Sequence, residues 1–158
     1  MAGTTKKPHA IFIPYPLQGH LIPSVRLAIK LASKGFTITF INTHSIHHQT
    51  SKAQPETGPD IFATVRESGL DIRYTTVLMG SLLGSTGHWA MTSSWLPCCM
   101  CLSPCREGGG PNSMVHCLIA DTFFVWPSRI AKKFGLLYVS YWTEPALVFA
   151  LYLSLGSS

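Results

Sequence analysis

Residues 11–23 constrain the fold more tightly than any other stretch. Ile11, Phe12 and Ile13 form a short apolar run that stops at Pro14 and Pro16. Neither proline has the N–H that a central strand needs. Gly19 and His20 follow, then Leu21, Ile22 and Pro23. Proline suits a first helical turn, where the donor it lacks would be unpaired anyway. The spacing predicts a strand, a tight loop and a helix, with His20 at the loop–helix junction. In an open α/β sheet that junction lies at the carboxyl end of a strand, where ligands bind. His20 is the first candidate for chemistry, against the plainer reading of a solvated histidine at a helix N-terminus.

The residues that follow extend this unit. Leu21, Val25, Ala28 and Ala32 give residues 21–34 the apolar stripe of a helix packed on a sheet. Lys30 and Lys34 suit its last turn, and Gly35 the position just beyond it. Residues 36–41 are rich in β-branched and aromatic side chains and read as a strand. Strand, helix and strand of this size make a parallel βαβ unit. A third, alternating strand is expected at 71–77. Residues 115–120 are apolar apart from His116 and read as a buried parallel strand, which ends in Asp121. A helix is expected at 122–134 with Pro127 in its first turn and Gly135 as its cap. A fifth strand follows at 136–141, then a last helix with Thr143 as N-cap. This alternation specifies an α/β fold, a Rossmann-like parallel sheet flanked by helices.

Composition narrows the function classes. A chain of 158 residues with 46% hydrophobic and 12% charged residues reads as one globular domain. The net charge of +5 is scattered and forms no basic stripe, so nucleic acid is not an expected partner. Residues 1–7 are polar, unlike a secretory leader, and Glu144-Pro145 interrupts the greasy region 136–155. A cytoplasmic protein without a membrane span is expected. His44 and His48 stand four apart, as metal-binding pairs do, but no Glu lies between them in zincin fashion. Residues 42–54 then read as a solvated loop or helix start.

Residues 78–105 break the pattern. They contain no Asp, Glu, Lys or Arg, yet hold two of the four Trp and four of the five Cys. Neither helical nor strand periodicity is visible. The adjacent Cys98 and Cys99, with Cys101 and Cys105, do not match the paired knuckles of a zinc site. No metal is expected there, and no disulfide framework in a chain without a leader.

Asp121 and His20 both fall where a strand hands over to a helix. In a parallel sheet such points gather at one edge, so the two can meet. A carboxylate beside an imidazole fixes its tautomer and stabilises the cation formed on proton abstraction. That arrangement makes a general base, an effect of about 10²–10⁴-fold in rate. The alternative for Asp121 alone is a helix N-cap.

Pro14, Pro16, Gly19, His20 and Pro23, then Ile119-Ala120-Asp121, then Tyr141-Trp142-Thr143-Glu144-Pro145-Ala146, resemble plant-type UDP-dependent glycosyltransferases of the GT-B fold. The resemblance covers 8–77 and 114–152. It implies that 1–158 is part of an N-terminal, acceptor-binding Rossmann-like domain. His20 would be the base and Asp121 its orienting acid. A sugar, glucose by expectation, would pass from a UDP-sugar to a hydroxyl of a small lipophilic acceptor with inversion. The UDP-sugar is a co-substrate, with no resident cofactor or metal and a monomeric enzyme. Gly19, His44, Phe123 and Trp142 would border the acceptor, with His47 and Phe124 nearby; without the resemblance, such isolated aromatics read as core.

Two departures from the family pattern shape the expectations further. Its C-terminal nucleotide-sugar signature, Trp…His-Cys-Gly-Trp-Asn-Ser, is not in these residues. A catalytically inactive truncated product, at most a weak acceptor binder, is therefore the second reading. A dinucleotide oxidoreductase is third, since the first strand–helix turn lacks G-x-G-x-x-G. The family pattern after Val77 looks like Ser-Asp-Gly-Leu-Pro-Val-Gly-Phe-Asp-Arg-Ser-Leu. With suitable codons, that peptide read one nucleotide out of frame yields the sequence from Leu78 onward. Residues 78–113 are accordingly expected to be aberrant, a frameshifted and badly packing segment.

Overall fold

The computed structural model describes residues 7–53, 60–77 and 115–155. Among them, five strands form one parallel sheet in the order β3-β2-β1-β4-β5. They are β1 (His9–Ile13), β2 (Thr37–Thr43), β3 (Ile72–Val77), β4 (Val115–Asp121) and β5 (Leu137–Tyr141). The chain leaves β1 toward β2 and β3, then returns to lay β4 on the other side of β1. Strand order therefore reverses at β1 and β4, the crevice where open α/β sheets bind ligands.

β1 and β2 are buried along their whole length, as central parallel strands are. Alternation along β1 divides the core in two. Ala10 and Phe12 face a cluster with Leu21, Ala28 and Ala32 of helix α1 (Gln18–Ser33), and with Phe62. Ile11 and Ile13 face Phe124 together with Ile130 and Ala131 of α4 (Pro127–Phe134). Phe12 stacks on Phe40, with ring centroids 5.5 Å apart. The expected Rossmann-like layers are present.

Local differences from the sequence reading have physical causes. The helix expected at 21–34 begins at Gln18, because extended Leu17 offers its carbonyl to the amides of both His20 and Leu21. His20 thus lies inside the first turn, and Pro23 in the second turn rather than the first. Leu17 has no side-chain cap bond, so no capping residue marked this start. Residues 122–126 are turn and not helix. The amide of Phe123 donates to Asp121 Oδ1, and that of Phe124 to the Asp121 carbonyl. Helix α4 starts only at Pro127, which occupies its first position. Gly135 ends it in the left-handed conformation at φ 64°, as expected.

The histidines at 44–48 lie on a helix, α2 (His44–Ala53), and a short α3 (Ala63–Glu67) precedes β3. Helix α5 (Ala146–Leu155) opens on the Pro145 carbonyl, which accepts from the amides of Val148 and Phe149. Thr143 is therefore not its N-cap. None of the residues of α5 is buried, and Leu147, Leu151 and Leu155 are exposed. Among the described residues no helix is long and apolar enough to cross a membrane. Residues 78–113, with Cys98, Cys99, Cys101 and Cys105, lie outside the described residues.

Candidate active site

The neighbouring strands β1 and β4 bring the two principal residues together. Their register pairs Ile13 with Ala120, so both strands end level, and the four-residue link 14–17 is short enough to start α1 directly above. His20 in the first turn of α1 meets Asp121 at the end of β4: Nδ1 lies 2.8 Å from Oδ2, 101 residues apart in sequence. Both side chains are nearly out of solvent, 6% and 2% exposed. Burial of an ionisable pair is tolerable only with full hydrogen bonding.

Thr143 completes that bonding. Its Oγ1 stands 2.6 Å from His20 Nδ1 and 3.3 Å from Asp121 Oδ2. The network is consistent with Nδ1–H donating to both oxygens while the threonine hydroxyl donates to the carboxylate. Asp121 has a further duty, since Oδ1 accepts the amide of Phe123. The aspartate caps a turn with one oxygen and contacts the His20 imidazole with the other. The helix N-cap reading of Asp121 does not hold, since the following helix starts only at Pro127 with Trp126 at its N-cap; the carboxylate caps a turn instead.

With Nδ1 so engaged, a neutral imidazole keeps its lone pair on Nε2, the nitrogen free to take a proton. Nε2 lies 3.2 Å from Glu144 Oε1. Aromatic rings flank the imidazole, with Phe123 and Tyr15 centroids at 5.0 and 5.4 Å. Ser24, fully buried one turn further on, donates to the His20 carbonyl at 2.7 Å and firms the helix beneath. Tyr141, whose hydroxyl donates to the Pro23 carbonyl at 3.4 Å, ties β5 to the same helix. Burial, then the Asp121 charge, pushes the Tyr141 phenol up from its ordinary value, so it remains a donor.

The residues expected to border an acceptor fall into three groups. Phe123 is half-exposed and touches both Tyr15 and His20, so it walls the site without being core. Trp142 is one ring further out, 6.5 Å from Phe123 and in contact with Phe149 and Tyr152 of α5. Its indole N–H is buried with no partner among the described residues. Gly19 is exposed beside His20, and a Cβ there would meet nothing within 4 Å. His44 is exposed at the start of α2 and its ring neighbours His47, 6.2 Å away, rather than the His20 pair. His47 Nδ1 in turn lies 3.1 Å from the Tyr74 hydroxyl.

Thr143 and Glu144 are the neighbours of the His20–Asp121 pair that the sequence reading did not place there. Asp121 pairs in register with Tyr141, so the chain just after β5 must emerge beside the chain just after β4.

No family model matches the chain. UDP-glycosyltransferase 86A2 of Arabidopsis thaliana is 54% identical over 152 residues, which cover 91% of this chain and 30% of that protein. UDP-glycosyltransferase 86A1 of the same plant is 51% identical over 158 residues, covering 94% of this chain and 32% of that protein. The apo structure of UGT2 from Phytolacca americana matches 95% of this chain and 32% of its own, with a TM-score of 0.60 at 22% identity. The chain's relatives are thus plant UDP-glycosyltransferase enzymes, and it shares the fold of GT-B members among them. It spans about 30% of the length of the curated relatives it matches. The matched stretch is longer than 8–77 and 114–152 together, so it extends into 78–113.

Proposed function

We propose that this chain is the acceptor-side portion of a UDP-dependent glycosyltransferase, with His20 as general base and Asp121 and Thr143 as its orienting partners. The carrying observation is the buried 2.8 Å contact between His20 Nδ1 and Asp121 Oδ2 at the point where strand order reverses. The acceptor hydroxyl gives its proton to Nε2 as its oxygen bonds to the anomeric carbon of the sugar. The bond from that carbon to UDP breaks, and in-line displacement inverts the centre. Asp121 balances the imidazolium so formed. The acceptor is a small lipophilic molecule, matched to the apolar surround of Phe123, Tyr15 and Trp142; the donor is a UDP-sugar, with glucose the sugar favoured. The working unit is a monomer, and the chemistry calls on no metal.

The test is sugar transfer by a protein of the relatives' full length carrying these residues, given UDP-glucose and a phenolic acceptor. His20→Ala is expected to lower turnover by about 10²–10⁴-fold. Unchanged turnover would overturn the assignment. The 158 residues alone are expected to bind acceptor without turning over UDP-glucose, because positioning the sugar against the base supplies much of such a rate. Saturable micromolar binding of UDP-glucose in a calorimetric titration would contradict that.

A further inference from the structure

The base of this site is held at both ring nitrogens. Nδ1 has Asp121 and Thr143, and Nε2 has the Glu144 carboxylate at 3.2 Å. Glu144 sits in the link 142–145 between β5 and α5 and is 35% exposed, against 6% for His20. It approaches from the open side, where an acceptor must also arrive. A carboxylate facing Nε2 is favourable only while a proton lies between them. When Nε2 is a lone pair ready to act as base, that contact is lost, and the carboxylate needs another donor. Among the described residues no Lys or Arg is ion-paired with Glu144 or Asp121.

An acceptor oxygen within about 2.6–3.2 Å of Nε2 necessarily comes to rest beside Glu144. We propose that Glu144 selects the acceptor: it favours molecules with a second hydroxyl adjacent to the reacting one, and it excludes carboxylates. The inference rests on His20 being the acceptor-side base. In a vicinal diol or catechol, one hydroxyl faces Nε2 and its neighbour donates to Glu144, replacing the hydrogen bond the carboxylate gave up. A monophenol leaves Glu144 without that donor, and an unpaired charge in a half-buried site is costly. A benzoate brings a second negative charge into contact, the repulsive element that makes a site specific.

The test is binding of 4-methylcatechol, 4-methylphenol and 4-methylbenzoate to this chain, titrated by ligand-observed NMR with circular dichroism as the check on folding. The catechol is expected to bind several-fold more tightly than the phenol, and the benzoate about tenfold or more weakly than either. Glu144→Gln should shrink both gaps, and Glu144→Lys should place the benzoate first. If acceptors bind and His20→Ala weakens them, but neither Glu144 variant changes their order, the selection by Glu144 is overturned while the base assignment stands. If none of the three binds to the folded chain, the acceptor-site reading fails and the selection with it.

Discussion

The hydroxyl of Thr143 lies 2.6 Å from Nδ1 of His20 across 123 residues of sequence, and it is shared with the carboxylate of Asp121. The pair of acid and base is in fact a three-membered network. A bridging hydroxyl restricts imidazole rotation about its bond to the chain, which a bare ion pair does not.

Thr143→Val keeps shape and removes the bridge. In a full-length enzyme it is expected to lower kcat by roughly tenfold with KM for acceptor little changed, the loss of about one hydrogen bond to a charged group. Thr143→Ser should restore most of it. Equal kcat in the valine and threonine forms would show the bridge to be ornamental.

Asp121→Asn separates the two duties of that residue. The amide oxygen can still accept the Phe123 amide, so melting temperature should move by only a few degrees. Charge at Oδ2 is lost, and turnover should fall by about 10²–10⁴-fold. A large fall in melting temperature with intact turnover per folded molecule would reverse this picture.

Phe12 carries the centre of the sheet, fully buried between Phe40 and Tyr141. Phe12→Ala is expected to cost about 3–5 kcal/mol, measured by urea denaturation. A cost below about 1 kcal/mol would mean that the core collapses around the gap.

Acidification should loosen the far end of the sheet. Burial first, then the Arg73 charge and more weakly His116, hold His9 below its ordinary value of 6.5, against the opposing pull of Asp71. Its ring contacts Thr39 at 2.8 Å, and its amide donates to His116 Nδ1 at 3.3 Å. Because the folded value is depressed, the unfolded chain takes the proton first. Stability is therefore full above about pH 6.5 and declines as pH falls through the folded value. Melting temperatures from pH 8 to 5 should show this decline, and His9→Gln should flatten it. Parallel curves for the two proteins would exclude His9 as its source.

Much of this architecture was legible because its signals are local. Pro14 and Pro16 stop β1, and the apolar run into Asp121 marks β4. Gly135 announces the end of α4. Where the reading fails, a side-chain hydrogen bond overrides the helical preference. Residues 122–126 carry helix-compatible side chains, but Asp121 binds the Phe123 amide and holds a turn until Pro127. Thr143 is well placed to cap a helix, yet its hydroxyl bonds to His20 and Asp121. The approach of Glu144 to Nε2 depends on how the link after β5 turns, which no spacing encodes. Gly19 and His44 follow only from the resemblance, and the ring of His44 neighbours His47 on its own helix.

The charge-free stretch yields a prediction about the polypeptide itself. No Lys or Arg lies between Arg73 and Arg106, so trypsin would release residues 74–106 as one peptide. If the segment is out of frame, mass spectrometry of the native source should miss that peptide and find an acidic one in its place. Its detection would establish the sequence as written.

Because Asp121 gives one oxygen to the main chain and the other to the base, the backbone of 122–126 and the imidazole are mechanically geared. An insertion or deletion in that turn would twist the carboxylate and drag the base with it. Exchanging the side chain at Phe123 would leave that grip in place, since it is the amide that Asp121 holds. Descendants of such a site are thus free to reshape its walls one side chain at a time, while the length of that turn stays locked.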